Sequence, residues 1–157
     1  MDNPKILHQY AFFALLSSTQ LKSIAKIARE ISYDIGTMVF KEGENADGLY
    51  ILVSGSIDLF FTVDVDSRSE DRKELHFGII NPGELFGISA LVEPYTLTSS
   101  ARVTKPSIVI RIDGTSLQNL CMKDDKLAYA IIQQVARTSM ERLSAARLQL
   151  ATALSTV

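Results

Sequence analysis

Pro82-Gly83-Glu84-Leu85-Phe86-Gly87-Ile88-Ser89-Ala90-Leu91, followed by Thr98-Ser99-Ser100-Ala101-Arg102-Val103, is the stretch on which the reading of the fold turns. Two glycines bracket Glu84-Leu85-Phe86, and glycine lets a backbone turn tightly and approach a ligand closely. The second run opens on three hydroxyl residues and passes into β-formers.

Strand signals surround this stretch. Val39-Phe40, Leu49-Tyr50-Ile51-Leu52-Val53, Ile57-Asp58-Leu59-Phe60-Phe61, Leu75-His76-Phe77, Ala101-Arg102-Val103 and Ile108-Val109-Ile110-Arg111-Ile112 are short runs of β-formers. Glycine separates many of them, and many short strands with glycine-containing turns predict a sandwich or barrel. Ser54-Gly55-Ser56 sits between two runs and predicts a tight hairpin. The charged segment 64–73 reads as a solvated hairpin tip.

Helical patterns flank the strands. Residues 9–30 read as helical, with Ser17-Ser18-Thr19 as N-cap and Leu21, Ile24, Ala25, Ile27 and Ala28 along one side. Phe12, Phe13, Leu15 and Leu16 form an apolar cluster that reads as a brace for the main domain. After Gly114, Ser116 to Met122 predicts a short helix, and Asp124 or Asp125 caps a long one over about 124–153. The chain thus divides into an N-terminal helical segment (1–30), a β-domain (31–113) and C-terminal helices (114–157).

Composition sets the bounds. The chain has 157 residues, 46% of them hydrophobic and 22% charged, with a net charge of -2. That is an ordinary globular profile for one domain, with no global attraction for nucleic-acid phosphates. The single Cys121 cannot form an internal disulfide, which suits a reducing cytoplasm. No apolar run approaches the ~20 residues that span a bilayer, and the start does not read as a secretory signal. No G-x-S-x-G elbow and no H-E-x-x-H helix is present, so catalysis finds no support and the expected class is a non-enzyme.

The order of these pieces resembles the cyclic-nucleotide-binding domain family, specifically the sensor half of the catabolite activator type. Phe40-Lys41-Glu42-Gly43-Glu44, then Asp47-Gly48 through Ser54-Gly55-Ser56-Ile57, then Pro82 to Gly87 follow the family's glycine pattern in sequence. The resemblance implies a mainly β fold with flanking helices: an eight-stranded, cupin-like jelly-roll (double-stranded β-helix) barrel, N-terminal helices and a long C-terminal helix. It implies a phosphate-binding cassette at Gly83, Glu84, Leu85, Phe86, Gly87, Ile88, Ser89, Ala90, Thr98, Ser99 and Ser100. Such a cassette sets a cyclic phosphate at the N-terminus of a short helix, where free N–H groups and the helix dipole favour an anion. Its two charged contacts are replaced here. Ile88 stands where the family has a glutamate for the ribose hydroxyl, and Thr98 or Ser99 stands where it has an arginine for the phosphate. Arg102 reads as a surface or cross-strand partner rather than a substitute.

Losing two charge-assisted contacts of roughly 1.5–3 kcal/mol each removes about two to four decades of affinity. The expected function is therefore a regulatory ligand-sensing module that holds cAMP or cGMP weakly or not at all, with no other cofactor and no metal. The alternative is an interaction module with a vestigial pocket. Ile132, Val135, Ser139, Leu143, Ala146 and Leu150 recur at spacings of three and four and predict a homodimer through the long helix. The resembled transcription factors read DNA with a further helix-turn-helix domain; this chain stops at the long helix, so no nucleic-acid contact and no membrane contact is expected of it. Haem ligation through His76 is the weakest reading; a hydrogen-bonded histidine is the commoner case. Cys121 reads as core.

Overall fold

The computed structural model describes residues 4–65 and 72–156. Two short 3₁₀ turns, Pro4–Gln9 and Ala11–Phe13, lead into helix α1 (Ser18–Lys26). Ser17 caps α1 in a closed capping box: its hydroxyl accepts from the Gln20 N–H at 3.2 Å while Gln20 Oε1 accepts from the Ser17 N–H at 2.9 Å. The helix ends at Lys26, and Ala28–Glu30, expected to be helical, instead begin strand β1 (Ala28–Tyr33). Ala28 to Ser32 lie opposite Ile112 to Ile108 of the last strand, and that pairing overrides local helix propensity.

Five further strands follow: β2 (Met38–Phe40), β3 (Gly48–Asp64), β4 (Arg72–Ile80), β5 (Leu85–Phe86) and β6 (Ser100–Asp113). They make one antiparallel sheet in the order β1-β6-β3-β4, with β2 on β6 and β5 on β3. The expected count was eight; six strands are seen among the described residues because two pairs of runs merge. Leu49–Val53 and Ile57–Phe61 are one strand, β3, and Ala101–Val103 and Ile108–Ile112 are one strand, β6.

Ser54-Gly55-Ser56 is therefore not a hairpin. It is an irregularity within β3, where the β3–β6 register shifts between Leu52 and Ile57. Gly55 has φ +101°, and a Cβ there would stand 2.2 Å from Ser107 Oγ and 2.6 Å from the Pro106 carbonyl. Ser107 Oγ accepts from the Ser56 N–H at 3.1 Å, so the bend is held from across the ladder. Of the charged segment 64–73, residues 66–71 lie outside the described residues.

The strands separate two apolar clusters. Phe40, Tyr50, Leu52, Ile57, Leu59, Phe86, Val103 and Val109 meet on one side. Leu49, Ile51, Ile110 and Ile112, the alternate residues of the same strands, pack on the other side against Phe13, Leu21, Ile24, Leu117, Leu127 and Ile131 of the helical segments. The Phe12–Phe13 brace thus belongs to the second cluster, with ring centroids 4.8 Å apart.

Helix α2 (Gly114–Lys123) starts at Asp113, whose carboxylate accepts from the Ser116 N–H at 2.9 Å and hydroxyl at 2.7 Å. Helix α3 (Asp125–Ser155) starts at Asp124. Its first turns are held by buried Leu127, Ala130, Ile131 and Val135. No helix among the described residues is long and apolar enough to cross a membrane.

Two outcomes are expected. Gly55→Ala should lower stability by about 2–3 kcal/mol, read as a fall in the urea midpoint at unchanged slope, because it meets both a left-handed backbone and a collision. Asp113→Ala should cost about 1 kcal/mol at pH 7, the usual value of an N-cap. The bonds from Ser116 hold the Asp113 carboxyl below the usual carboxylate range. A depressed folded value means that the contribution is complete above the unfolded value of about 4 and fades as pH falls through the folded one. Chemical denaturation of both proteins from pH 7 down to acid checks this: a gap that does not narrow in acid would show that the charge on Asp113 is not what caps α2.

Candidate functional site

The turn that opens the cassette is stitched to β3. The Gly83 N–H donates to the Leu52 carbonyl at 2.7 Å, and the Leu52 N–H donates to the Glu84 carbonyl at 3.1 Å. The Glu84 carboxylate accepts from the Asn81 N–H at 2.9 Å. The glutamate therefore closes its own turn. Leu85 and Phe86 then form β5 against Ile51 and Tyr50. Phe86 is buried and stacks on Tyr50 at 5.1 Å, with Phe40 beside both.

Gly87 turns left-handed, with φ +71°, and lies so close to β3 that a Cβ would be 2.9 Å from the Gly48 carbonyl oxygen and 2.9 Å from the Tyr50 ring. The cassette helix that follows is one 3₁₀ turn, Ile88–Leu91. Gln118 of α2 donates to the Ala90 carbonyl at 2.7 Å and pins it. Ala90 is buried with the strand-enclosed cluster, whereas Ile88 packs on the opposite one, with Leu91, Leu120 and Cys121. Ser89 is half-buried.

The hydroxyl run lies apart. Thr98 is exposed, Ser99 half-buried and Ser100 buried. Ser100 Oγ accepts from the Glu42 N–H at 3.0 Å, and the Glu42 carboxylate accepts from the Thr62 N–H at 3.0 Å. Arg102, two residues on in β6 and so on the same face of the sheet as Ser100, is engaged elsewhere. It makes two bonds to Glu74, at 2.8 and 2.7 Å, and lies 4.4 Å over the Phe60 ring. Those bonds hold the Glu74 carboxyl below its ordinary value and raise the guanidinium's. His76 completes this patch: Nδ1 contacts Asp58 and Nε2 lies 3.5 Å from Glu74. Both ring nitrogens thus face carboxylates, and haem ligation at His76 would have to break one of these contacts.

A cleft of about 550 Å³ lies between the sheet and α3. Leu59, residues 77–80 and Gly83, Glu84 and Leu85 line one wall, with Ala11 and Phe12 at one end. Gln134, Thr138, Arg142 and Gln149 are prominent on the α3 wall. Of the cassette residues expected at the ligand, Gly83, Glu84 and Leu85 reach this cleft; Phe86 to Ala90 and Thr98 to Ser100 do not line it. Gln134, Thr138, Arg142 and Gln149 are among the lining residues that the sequence reading did not single out, and Leu59 and Phe77 were read only as strand residues. A signal existed for the helical ones: Gln134, Thr138, Glu141 and Arg142 recur at spacings of three and four, with Gln149 seven beyond Arg142, a polar stripe on a helix otherwise read only for its apolar one.

Two side chains cross from α3 to the sheet. Arg142 Nη2 donates to the Leu85 carbonyl in a short contact, and Gln149 Nε2 donates to the Phe77 carbonyl at 3.4 Å. Burial pushes the Arg142 guanidinium below its usual value, against the attraction of Glu84 and Glu141. Among the residues expected at a dimer interface, Val135 is buried in this chain's own core and Ala146 edges the cleft. Ser139 is exposed and donates its hydroxyl to the Val135 carbonyl at 2.9 Å. Ile132, Leu143 and Leu150 stay 45%, 51% and 61% exposed.

Comparison with known proteins agrees with this architecture. The family model for the cyclic nucleotide-binding domain matches residues 30–124. A CRP-like cAMP-activated global transcriptional regulator of Mycobacterium tuberculosis is 25% identical over 133 residues, covering 85% of this chain and 57% of that protein. The cGMP-dependent protein kinase egl-4 of Caenorhabditis briggsae is 26% identical over 115 residues, 73% of this chain and 15% of the kinase. This chain therefore spans little more than half of the first relative and a small part of the second. Among solved structures, a candidate cyclic nucleotide-binding protein from Geobacter metallireducens GS-15 is 37% identical, with a TM-score of 0.79, 91% of this chain covered and 99% of that one. With the glycine frame, the family match and a solved relative of nearly the same extent all in accord, the chain belongs to the cyclic nucleotide-binding domain family.

Proposed function

We propose that this chain is a regulatory ligand-sensing module whose ligand occupies the cleft between the sheet and α3. The cleft itself carries the reading. Its volume of about 550 Å³ falls in the range of roughly 300–1,000 Å³ typical of small-molecule sites. One wall is largely apolar, with Leu59, Phe77 and Ile80, and the other is polar, with Gln134, Thr138 and Arg142. A ligand between them touches a strand-borne surface and a helix at once, the arrangement by which occupancy shifts a helix. The module binds rather than catalyses, and its lone Cys121, a free thiol, suits a cytoplasmic home.

Cyclic nucleotides are held weakly in this reading. Ile88 turns its side chain into the helical cluster, where it meets no ribose, and neither Thr98 nor Ser99 lines the cleft. Isothermal titration with cAMP and cGMP should give dissociation constants near millimolar or weaker. A low-micromolar constant for either nucleotide would mean that other groups in the cleft make good the loss.

The exposed stripe Ile132, Leu143 and Leu150 supports a second element of the reading, pairing of two copies along α3. Leu143→Glu combined with Leu150→Glu should then halve the mass measured by light scattering. A wild-type protein already monomeric at high concentration would remove the dimer from the proposal while leaving the cleft untouched.

A further inference from the structure

The cassette has no cation at the place where the family carries one, and the nearest candidate along the chain is already engaged. Arg102 is satisfied twice by Glu74 and covers Phe60. Arg142 is in the opposite situation. It arrives from α3, 57 residues beyond Leu85, and reaches the Leu85 carbonyl in the cassette itself. A guanidinium offers five N–H donors in a planar fork. Here its one directed bond goes to the neutral carbonyl of Leu85, and among the described residues no carboxylate lies within ion-pair reach of it. Glu84 and Glu141 line the same cleft and attract the guanidinium without pairing with it, the Glu84 carboxylate accepting the Asn81 N–H; Glu141 and Arg137 stand exposed. A partly buried cation with spare donors beside an open cleft is stabilised by an entering oxyanion, through a charge-assisted and geometrically bidentate contact.

We propose that Arg142 is the anion-binding residue of this module: it grips a phosphate or carboxylate group of the cleft's ligand while keeping its bond to Leu85. This deepens, and rests on, the reading of the cleft as a ligand site. The ligand class that follows is a small oxyanion with an apolar body, the body lying on Leu59, Phe77 and Ile80. Since Ile88 faces the helical cluster, no ribose diol is required. Since Arg142 belongs to α3 and Leu85 to the sheet, a bound oxyanion fastens the distal half of α3 to the strands.

The test uses three probes of one body: phenyl phosphate, benzoate and neutral benzyl alcohol. They are titrated into the whole chain while the amide resonances of Leu59 and Phe77 are followed, and hydrogen exchange across 142–155 is recorded with and without probe. At least one anionic probe should bind more tightly than benzyl alcohol and slow exchange in that segment; which one does so separates a phosphate source from a carboxylate source. Arg142→Gln should weaken that probe roughly ten- to a hundredfold and abolish the slowing. Arg142→Lys should fall between, and rim Arg137→Gln should change little. An unchanged thermal melt of Arg142→Gln establishes that it folds. If the probes bind but Arg142→Gln holds the anion as tightly as the wild type, or the alcohol binds as well as the anions, the assignment of Arg142 is overturned while the cleft survives as a site. If no probe perturbs Leu59 or Phe77 in the wild type, the ligand-sensing reading falls, and this inference with it.

Discussion

Strand β3 is the member on which the remaining elements lean. It pairs along its length with β6, β4 and β5, and its first five residues, Gly48–Leu52, are buried on both faces. Tyr50 and Leu52 fill one apolar cluster while Leu49 and Ile51 fill the other. A strand with two dry faces has no solvent side to absorb a change of register, since a slip of one residue would exchange the two sets. It bends at Gly55, and that bend is held by Ser107 of the facing strand. The cassette turn and Gly87 are in turn placed by contacts to Gly48, Tyr50 and Leu52 of β3. The geometry of the site is thus inherited from this one strand.

Much of this was legible in the residues. The order of glycine-punctuated β runs, the cassette and the two capped C-terminal helices identified the fold, because each signal is local: a cap, a turn, an alternation. The errors came where two structures share one local signal. A glycine between β runs marks a hairpin or a bulge equally well, and only Ser107, some fifty residues away, decides between them at Gly55. Ala28–Glu30 continued a helical period but met a partner strand.

The site was less legible than the fold for the same reason at longer range. A cassette can be read along the chain, but the cleft is made where Leu59, Phe77 and Gly83 approach Gln134, Thr138 and Arg142. No spacing rule links positions that far apart. Two arginines make the contrast concrete. Arg102, beside the cassette's hydroxyl run in sequence, is paired with Glu74 of β4 across the intervening β3; Arg142, remote in sequence, is the one brought to Leu85. Proximity along a chain says little about electrostatic availability, which depends on what the partner strand or helix already offers.

Helix α3 is anchored at one end only. Its buried apolar contacts stop at Val135, and beyond that point it is steadied by polar crossings from Arg142 and Gln149. At 1.5 Å per residue, the twenty residues from Ala136 to Ser155 form a rod of roughly 30 Å. A tilt of about 10° at the anchored end displaces the free tip by roughly 5 Å, about one helical turn. The exposed half of α3 is thus a long arm on a short anchored base, so that a tilt of this size in the core becomes a displacement of about one helical turn at Ser155.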